Sequence, residues 1–256
     1  MIAERMNSGT ALDPSENPPK IRRPIIAIDG PAGAGKSTIA RHLARHFGLL
    51  NLETGAMYRA FALKALAANI SLEDLPELLA LSQRTTIHLE PTAAGNRVFL
   101  DGTEVTSQLR EPSVTDGASR VSVHPQIRAW MVRLQQELGA AGGIVMEGRD
   151  IGTVVFPNAD VKIFLDAAPE VRGLRRYDQI GQASLEGRNP DTESVEPEEV
   201  VRELRARDER DRNRTDSPLK AADDAVLLDS THMTLEEVVA QAEAIVEAKL
   251  ATEAST

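Results

Sequence analysis

PIIAIDGPAGAGKST, residues 24–38, joins a short apolar run directly to the spacing Gly30-x-x-x-x-Gly35-Lys36-Ser37. This order is typical of a β-strand, a phosphate-binding loop and the start of an α-helix. The loop needs glycine because its backbone must turn successive N–H groups towards a phosphate, through conformations that a Cβ atom would obstruct. Lys36 supplies a point charge, Ser37 offers a hydroxyl to Mg²⁺, and the helix directs its positive dipole end at the same anion. The stretch predicts a nucleotide-phosphate site; the alternative is a glycine-rich turn that merely precedes a helix.

The composition limits the class of protein. The chain has 256 residues and a formal net charge of −10, which argues against a general nucleic-acid binder, because such proteins attract phosphate backbones with clustered Lys and Arg. It has no cysteine, so disulfides, thiolate metal sites and a cysteine nucleophile are excluded. No apolar run approaches the length of a membrane span, and no apolar signal core follows the first charges. We expect a cytoplasmic protein of one or two domains that binds neither nucleic acid nor membrane.

The hydrophobic pattern predicts an α/β fold. Residues 1–23 lack periodicity and are predicted to form a flexible lead-in to a domain over residues 24–252. Five short apolar runs are typical of parallel strands buried on both faces: Ile25–Asp29, Leu49–Glu53, Ile144–Asp150, Val161–Asp166 and Val226–Asp229. Stretches with helical spacing lie between them, including Thr38–Phe47, Ile127–Leu138, Pro197–Asn213 and Leu235–Leu250. We therefore predict a doubly wound, five-stranded parallel sheet that binds ligands at the carboxyl ends of its strands.

One segment interrupts this alternation. Thr85–Leu89, Arg97–Leu100 and Glu104–Val105 have the pattern of short strands, with Ala94-Gly95-Asn96 and Asp101-Gly102 as turns. The segment falls between the second and third core strands and is flanked by helical stretches. It predicts a small antiparallel subdomain inserted at about residues 72–122.

Several polar residues follow the core strands, and each has two interpretations. Thr54 and Arg59 stand near the start of a helix, where they would either bind the phosphate of a second substrate or form a helix cap with a surface arginine. Arg149 and Asp150 come at the end of the third strand, where a base edge and a phosphate can be read. A loop ion pair, which contributes little at a surface, is the alternative for them.

Two helices carry further arginines. Arg207, Asp211 and Arg214 fall at i, i+4 and i+7 on one face, either as part of a solvated helix or as contacts to a ribose and a phosphate. Arg172, Arg175 and Arg176 follow the fourth strand and lead into the stretch 181–190, which would act as a mobile lid unless these are ordinary surface arginines. The five histidines show no metal-ligand spacing, although His42 and His46 are four residues apart, and we assign them no catalytic role.

Taken together, these motifs resemble those of the cytidylate kinase family of nucleoside monophosphate kinases. The segments that carry the resemblance occur in the family's order over roughly residues 24–250: GPAGAGKST, TGAMYRA, GASRVSVHPQIR, GRDIGTVVFPNADVKIFLDA and RDERDRNRTDSPLKAADDAVLLDST. The family phosphorylates CMP and dCMP from ATP with Mg²⁺, in pyrimidine nucleotide metabolism. The resemblance therefore implies a P-loop kinase domain with an inserted nucleoside-monophosphate-binding subdomain and a short lid at about residues 172–192.

The resemblance also implies a role for each matching residue. ATP would be held by Gly30, Pro31, Ala32, Gly33, Ala34, Gly35, Lys36, Ser37 and Thr38, with Ser37 also on Mg²⁺. CMP or dCMP would be bound by Thr54, Arg59, Ser119, Arg128, Asp150, Arg207, Asp211 and Arg214, of which Ser119, Arg128 and Asp150 read the cytosine. Catalysis would rest on Lys36, Arg149, Arg172 and Arg176, which stabilise the transferring phosphoryl group.

The resemblance has small departures and leaves rivals. Thr54 stands where many members have serine, Ser37 where some have glycine, and Glu147 where some have aspartate. A kinase for UMP, AMP or shikimate would share the loop and the sheet, and the cytosine-reading residues argue against it. A nucleotide switch that acts through a partner is the rival from another class, but the Asn-Lys-x-Asp element of guanine-specific switches does not occur. We expect a monomer whose partners are small nucleotides.

Overall fold

The computed structural model describes residues 23–92, 95–185 and 196–253. Its elements follow in chain order as β1 (Ile25–Asp29), α1 (Lys36–His46), β2 (Leu50–Glu53), α2 (Thr54–Ala67), α3 (Leu75–Ser82), β3 (Ile87–Thr92), β4 (Gly95–Leu100), β5 (Thr103–Glu104), α4 (Pro112–Val121), α5 (Pro125–Gly139), β6 (Ile144–Gly148), β7 (Val161–Asp166), α6 (Pro169–Leu185), α7 (Pro197–Asn213), β8 (Val226–Asp229) and α8 (Leu235–Glu253). A 3₁₀ turn covers Gln108–Arg110 and a π-helical turn covers Ile151–Val155.

The central sheet confirms the predicted α/β architecture. Its five strands run parallel in the order β2-β6-β1-β7-β8. Within the sheet, β2 and β6 lie on one side of β1, and β7 and β8 lie on its other side. The reversal of direction falls beside β1, where open α/β sheets bind their ligands. The phosphate-binding loop leaves the carboxyl end of this same strand.

Two hydrophobic cores cover the faces of the sheet because successive side chains of a strand point to opposite faces. Ile26 and Ile28 of β1 pack on one face against α1 and α8. Ala27 points to the other face, where α2, α4 and α5 supply the core. All these residues are at most 1% exposed, which explains why the strands have nearly continuous apolar sequences.

The insert lies between β2 and β6, as predicted. β3, β4 and β5 form a separate three-stranded sheet, and both pairings are antiparallel. Asn96 joins its hairpin to the edge of β2: the side-chain Nδ2 donates to the Asn51 carbonyl at 2.7 Å, and Oδ1 accepts from the Glu53 N–H at 2.8 Å. The antiparallel character of the insert is confirmed, while its boundaries at residues 72–122 stay a prediction.

Several details differ from the sequence prediction or lie outside the described residues. Gly95 and Asn96, which the sequence predicts as part of a turn, begin β4 instead, because both pair with residues of β3. The third core strand ends at Gly148 rather than Asp150, because the chain turns there into the π-helical turn. Residues 1–22 of the predicted lead-in and residues 186–192 of the predicted lid are not among the described residues. The described part of that lid belongs to α6. Within the described residues, no helix is both long and apolar enough to cross a membrane.

Gly30 is where the sheet and the loop meet most closely. Its φ is +147°, and an added Cβ would lie 1.9 Å from the backbone carbonyl oxygen of Leu165 on the neighbouring strand. We expect Gly30→Ala to lower the free energy of unfolding by about 3 kcal/mol, because the strand pair must separate to admit the methyl group. Urea unfolding measures this change. Gly95→Ala is the matched control, since Gly95 has a similar φ of +136° and its added Cβ would meet no atom of the described residues within 4 Å. Equal losses would contradict the steric explanation.

Candidate active site

The phosphate-binding loop ends at Lys36, the first residue of α1. Gly33 and Gly35 have φ values of +76° and +97°, which turn the backbone around the space in front of the helix. Lys36 is 6% exposed, and its Nζ donates to the carbonyl of Pro31 at 2.7 Å, across the loop. Burial lowers the pKa of Lys36, and the nearby Arg149 lowers it further. The loop thus holds a desolvated cation that an anion would stabilise.

Asp29 connects the loop to the end of β6. Its two carboxylate oxygens accept the backbone N–H groups of Ile151 and Gly152 at 2.8 and 2.7 Å. Burial raises the pKa of Asp29 to about 6, although these two hydrogen bonds oppose the shift. The contact fixes the backbone directly after Arg149 and Asp150, so Asp29 is a positioning residue for both side chains.

Arg172 supports the phosphate-binding loop through hydrogen bonds to backbone carbonyls. Its Nε donates to the carbonyl of Ala167 at 2.8 Å, and one terminal nitrogen donates to the carbonyl of Ala32 at 2.9 Å. The same terminal nitrogen forms an ion pair of 2.6 Å with Asp208 of α7. Arg172 is 1% exposed. Its observed contacts therefore hold the loop and α7 together, and a direct contact with a phosphoryl group stays a prediction.

Four arginines lie close enough to repel one another or Lys36 and are called the arginine cluster here: Arg59, Arg149, Arg176 and Arg207. Burial lowers the pKa of Arg207 to about 10, and Arg149 and Arg59 act in the same direction. The pKa of Arg176 is also lowered, chiefly by burial and then by Arg59. Partly desolvated cations that repel one another are unfavourable unless an anion joins them. The cluster is therefore suited to a polyphosphate or to two phosphorylated ligands.

Asp211 of α7 holds two of the neighbouring arginines. Its carboxylate accepts from Arg149 Nε at 2.9 Å, and its backbone carbonyl accepts from Arg214 Nε at 3.2 Å. Burial would raise the pKa of Asp211, but Arg149 and Arg214 outweigh it and keep the pKa low. Asp211 is 4% and Arg214 is 8% exposed, so both side chains are turned into the protein at the cleft. Arg214 follows the last residue of α7 in an extended conformation, so it does not continue the predicted helical face of Arg207 and Asp211.

A second polar group lies at the corner of α4 and α5. Arg128 of α5 forms a buried ion pair with Asp150, and the two side chains are 4% and 9% exposed. Ser119 of α4 is 3% exposed, and its hydroxyl has no hydrogen-bond partner among the described residues. Within the same part of the chain, Arg128 Nε and one terminal nitrogen of Arg214 also lack partners. Buried polar atoms in native structures are usually satisfied, so these three unpartnered groups indicate a polar ligand.

The sequence of this chain matches a known protein family. The sequence model of cytidylate kinase covers residues 26–248. The chain belongs to the cytidylate kinase family. It is similar to a cytidylate kinase of Pelotomaculum thermopropionicum, with 46% identity over 217 residues that cover 84% of this chain and 92% of that protein. A cytidylate kinase of Actinobacillus succinogenes is 43% identical over 234 residues, which cover 89% of this chain and 100% of the relative.

A solved structure gives a weaker likeness. Shikimate kinase from Acinetobacter baumannii, in complex with shikimate, is 18% identical and superposes with a TM-score of 0.42, covering 90% of this chain and 94% of the other. At that level the order and direction of the strands, rather than the superposition, define the fold of this cytidylate kinase family member.

Most of the predicted site residues lie around one cleft of this family member. The structure brings Arg128 together with Asp150, and Arg149 together with Asp211. Arg59 is paired with Glu53, the last residue of β2, and its Nε has no partner in the part of the chain that the structure describes. Thr54 donates its hydroxyl to the carbonyl of Glu147 at 2.7 Å instead of facing open space. Arg175, unlike its neighbours, bonds Ser230 at the rear of the loop.

The sequence analysis missed three residues that shape this cleft. Asp29, Glu53 and Asp208 each hold a predicted site residue or its backbone. Asp29 and Glu53 end core strands, so the acidic strand ends were a usable signal. Asp208 offered no such signal, because it stands among alternating charges on α7.

Proposed function

We propose that this member of the cytidylate kinase family transfers the γ-phosphoryl group of ATP to the phosphate of CMP or dCMP, giving CDP or dCDP and ADP. The observation that carries the proposal is the continuity of the arginine cluster with the buried Arg128–Asp150 pair: Arg149 pairs with Asp211, Asp211 pairs with Arg214, and Arg214 lies within electrostatic range of Arg128 and Asp150. A cleft that is cationic in the middle, with a phosphate loop at one end and a base-sized polar group at the other, fits two nucleotides end to end.

The donor would bind to the loop. The residues Gly30, Pro31, Ala32, Gly33, Ala34, Gly35, Lys36, Ser37 and Thr38 would surround the ATP phosphates, with backbone N–H groups and the α1 dipole directed at them. Lys36 would then exchange its contact with the Pro31 carbonyl for phosphate oxygens. Arg172 would support ATP binding indirectly, because its hydrogen bond to the Ala32 carbonyl fixes the curvature of the phosphate-binding loop.

The acceptor phosphate would lie within the arginine cluster. Arg59 and Arg207 would bind it, and Arg149 and Arg176 would approach the transferring group between the two nucleotides. Asp211 and Arg214 would contact the ribose, which is consistent with their position between the cluster and the Arg128–Asp150 pair. Thr54 would line this part of the cleft, although its hydroxyl is already bonded to Glu147.

Cytosine would be read by Ser119, Arg128 and Asp150. The base presents an amino donor beside two acceptors, so a carboxylate can accept from the amino group while hydroxyl and guanidinium groups donate to N3 and O2. The unpartnered Ser119 hydroxyl and Arg128 Nε are donors of this kind. Uracil would present the acceptor O4 to the Asp150 carboxylate, so the hydrogen bond from the base amino group would be lost, which costs on the order of 10⁴-fold in a site built for that hydrogen bond.

Mg²⁺ would fit beside the loop. Burial raises the pKa of Glu147, and a hydrogen bond from the Ser37 hydroxyl opposes that rise. One Glu147 oxygen is buried without a hydrogen-bond partner among the described residues. A hydroxyl and a carboxylate are hard oxygen ligands of the kind that Mg²⁺ prefers. Ser37 would hold the ion, with Glu147 oriented towards it. When bound, Mg²⁺ neutralises charge on the phosphate oxygens.

The transfer itself would need positioning rather than a general base, because the CMP phosphate is already an anionic nucleophile. Lys36 and the arginine cluster would stabilise charge on the three equatorial oxygens of the moving group. Closure of the insert and of the lid at about residues 172–192 would exclude water, which otherwise competes as acceptor. One chain supplies every residue in this scheme, so we propose a monomer, acting in the cytoplasm where ATP and CMP are found.

ADP formation from ATP and Mg²⁺, with CMP, dCMP, UMP and AMP offered separately to the purified chain, tests the proposal. Rapid turnover with CMP or dCMP and about 10⁴-fold lower kcat/KM with UMP would support both the reaction and the base site. Preference for UMP or AMP would overturn the base assignment, and no turnover with any acceptor would overturn the reaction. Lys36→Met protein prepared in the same way excludes contaminating kinases.

Binding of ATP should also take up protons. The pKa of Lys36 is lowered in the free protein, first by burial, and the pKa of Glu147 is raised, also first by burial. Phosphate charge raises both pKa values, so each group binds protons more strongly in the complex and uptake occurs near neutral pH. Calorimetry of a Mg²⁺-free, non-hydrolysable ATP analogue in buffers of different ionisation enthalpy measures the uptake. Lys36→Met should reduce it, and proton release would contradict the assignment.

A further inference from the structure

His42, His46 and Glu243 form a compact group on the outside of the molecule. His42 Nε2 and His46 Nδ1 lie 2.6 and 2.8 Å from the same oxygen, Oε1 of Glu243. The three atoms all lie within 4.8 Å of one another. Among the described residues, this is the one group of at least three His, Asp or Glu ligands with that spacing. It joins α1 to α8.

The packing of two helices creates this group. His42 and His46 are four residues apart on α1, so they lie one turn above the other on one face. Glu243 follows the buried Ala242, which packs α8 against the same side of the sheet as α1. Sequence reasoning found only two histidines at a helical spacing, because the third group is 197 residues beyond His46 in the chain and reaches them only through the fold.

We propose that this group binds a divalent transition-metal ion, with Zn²⁺ as the representative. Two imidazole nitrogens and one carboxylate oxygen are common zinc ligands, and a water molecule would complete a tetrahedron. Zn–N and Zn–O bonds of about 2.0–2.1 Å place tetrahedral ligands about 3.3 Å apart. The present separations of 2.6 and 2.8 Å therefore need to open by about 0.6 Å to admit the ion.

The side chains have the freedom for that adjustment. Their exposures are 37% for His42, 43% for His46 and 24% for Glu243, so the ion has a path from solvent and the rings are not locked in the core. The ring atoms that face Glu243 would give up their hydrogens to the opposite nitrogens, which leaves both imidazoles neutral and able to coordinate. Imidazole ligands favour Zn²⁺, Ni²⁺ or Cu²⁺ over Mg²⁺.

The site is separate from the cleft. Along α1, His42 and His46 lie roughly 9 and 15 Å beyond Lys36, from the rise of 1.5 Å per residue. A bound ion would link α8 to the helix that begins at the phosphate loop without touching a reacting group. We therefore expect substitutions here to leave kinase activity unchanged and to alter only metal binding and the thermal stability that the metal adds.

Calorimetric titration of the chelator-treated full chain with Zn²⁺, without nucleotide and with excess Mg²⁺, tests the proposal. We expect one Zn²⁺ per chain, a raised Tm, and about tenfold or greater loss of affinity in His42→Gln, His46→Gln and Glu243→Gln. His232→Gln is the control, since His232 is exposed and belongs to no such group among the described residues. Co²⁺ should give the visible absorption of a four-coordinate site that the three variants lose.

Two results would overturn the proposal. One is the absence of stoichiometric Zn²⁺ binding to the wild-type chain. The other is binding that His42→Gln and Glu243→Gln leave as tight as His232→Gln does, which would place the ion elsewhere. Urea unfolding of the metal-free variants identifies any that fail to fold, and in that case His46→Gln, at the more exposed ring, decides between the outcomes.

Discussion

Lys36→Met should lower kcat by about a thousandfold while leaving the fold intact, because it removes one preorganised cation from the transferring phosphoryl group. That loss corresponds to about 4 kcal/mol of transition-state stabilisation. The stability of the protein should stay the same or rise. Lys36 is a buried cation whose pKa is lowered by burial and by Arg149, so its charge opposes folding until phosphate binds. Its side-chain hydrogen bond in the free protein goes to the Pro31 carbonyl.

Lys64→Met is the matched control for this experiment. Lys64 lies on α2, where its Nζ bonds the carbonyl of Arg84 and pairs with Asp101, both at 2.6 Å. The same change of side chain there removes a lysine without removing charge from the cleft. Steady-state kinetics with CMP and urea unfolding are measured for both variants. A Lys36→Met protein with near-normal kcat, or one that loses as little activity as Lys64→Met, would remove Lys36 from the mechanism.

The sequence predicts the elements of this fold better than their arrangement. The apolar runs and the glycine spacing of residues 24–38 place β1, the loop and α1 within two residues of their observed limits. The order β2-β6-β1-β7-β8 is a long-range property that no local pattern encodes. The strand order places β1 beside β6, where Asp29 is the register partner of Gly148. Asp29 therefore reaches the N–H groups of Ile151 and Gly152, which follow β6.

The candidate site shows the same division. The resemblance to the cytidylate kinase family selects Arg128, Asp150 and Asp211, and the structure pairs Arg128 with Asp150 and Arg149 with Asp211. Their neighbours were not predictable in the same way. The bond from Arg172 to the Ala32 carbonyl joins residues 140 positions apart, and it makes Arg172 a support of the loop, while its contact with a phosphoryl group stays a prediction. A helix-borne arginine looks alike in sequence in either role, because only the packing decides which atoms it meets.

Asp150→Asn should strongly reduce the preference of the enzyme for CMP over UMP. The amide keeps an oxygen that can accept from the cytosine amino group, but it adds a donor that can serve the O4 acceptor of uracil. We expect kcat/KM for CMP to fall by about a thousandfold and the ratio of CMP to UMP use to fall by at least about a hundredfold. Arg128, 4% exposed, would lose its anionic partner, so urea unfolding should show a loss of about 3–5 kcal/mol.

Asp208→Asn separates this effect from the general cost of breaking a buried ion pair. Asp208 is 6% exposed as a side chain and pairs with Arg172, much as Asp150 is 9% exposed and pairs with Arg128. Its pair supports the phosphate loop, which every acceptor shares, so this variant should lose kcat for CMP and UMP alike and keep their ratio. The decisive quantity is thus the CMP-to-UMP ratio of kcat/KM measured under the same conditions in both variants. If the two ratios fall together, Asp150 acts by stabilising the cleft; if only that of Asp150→Asn falls, the carboxylate reads the base.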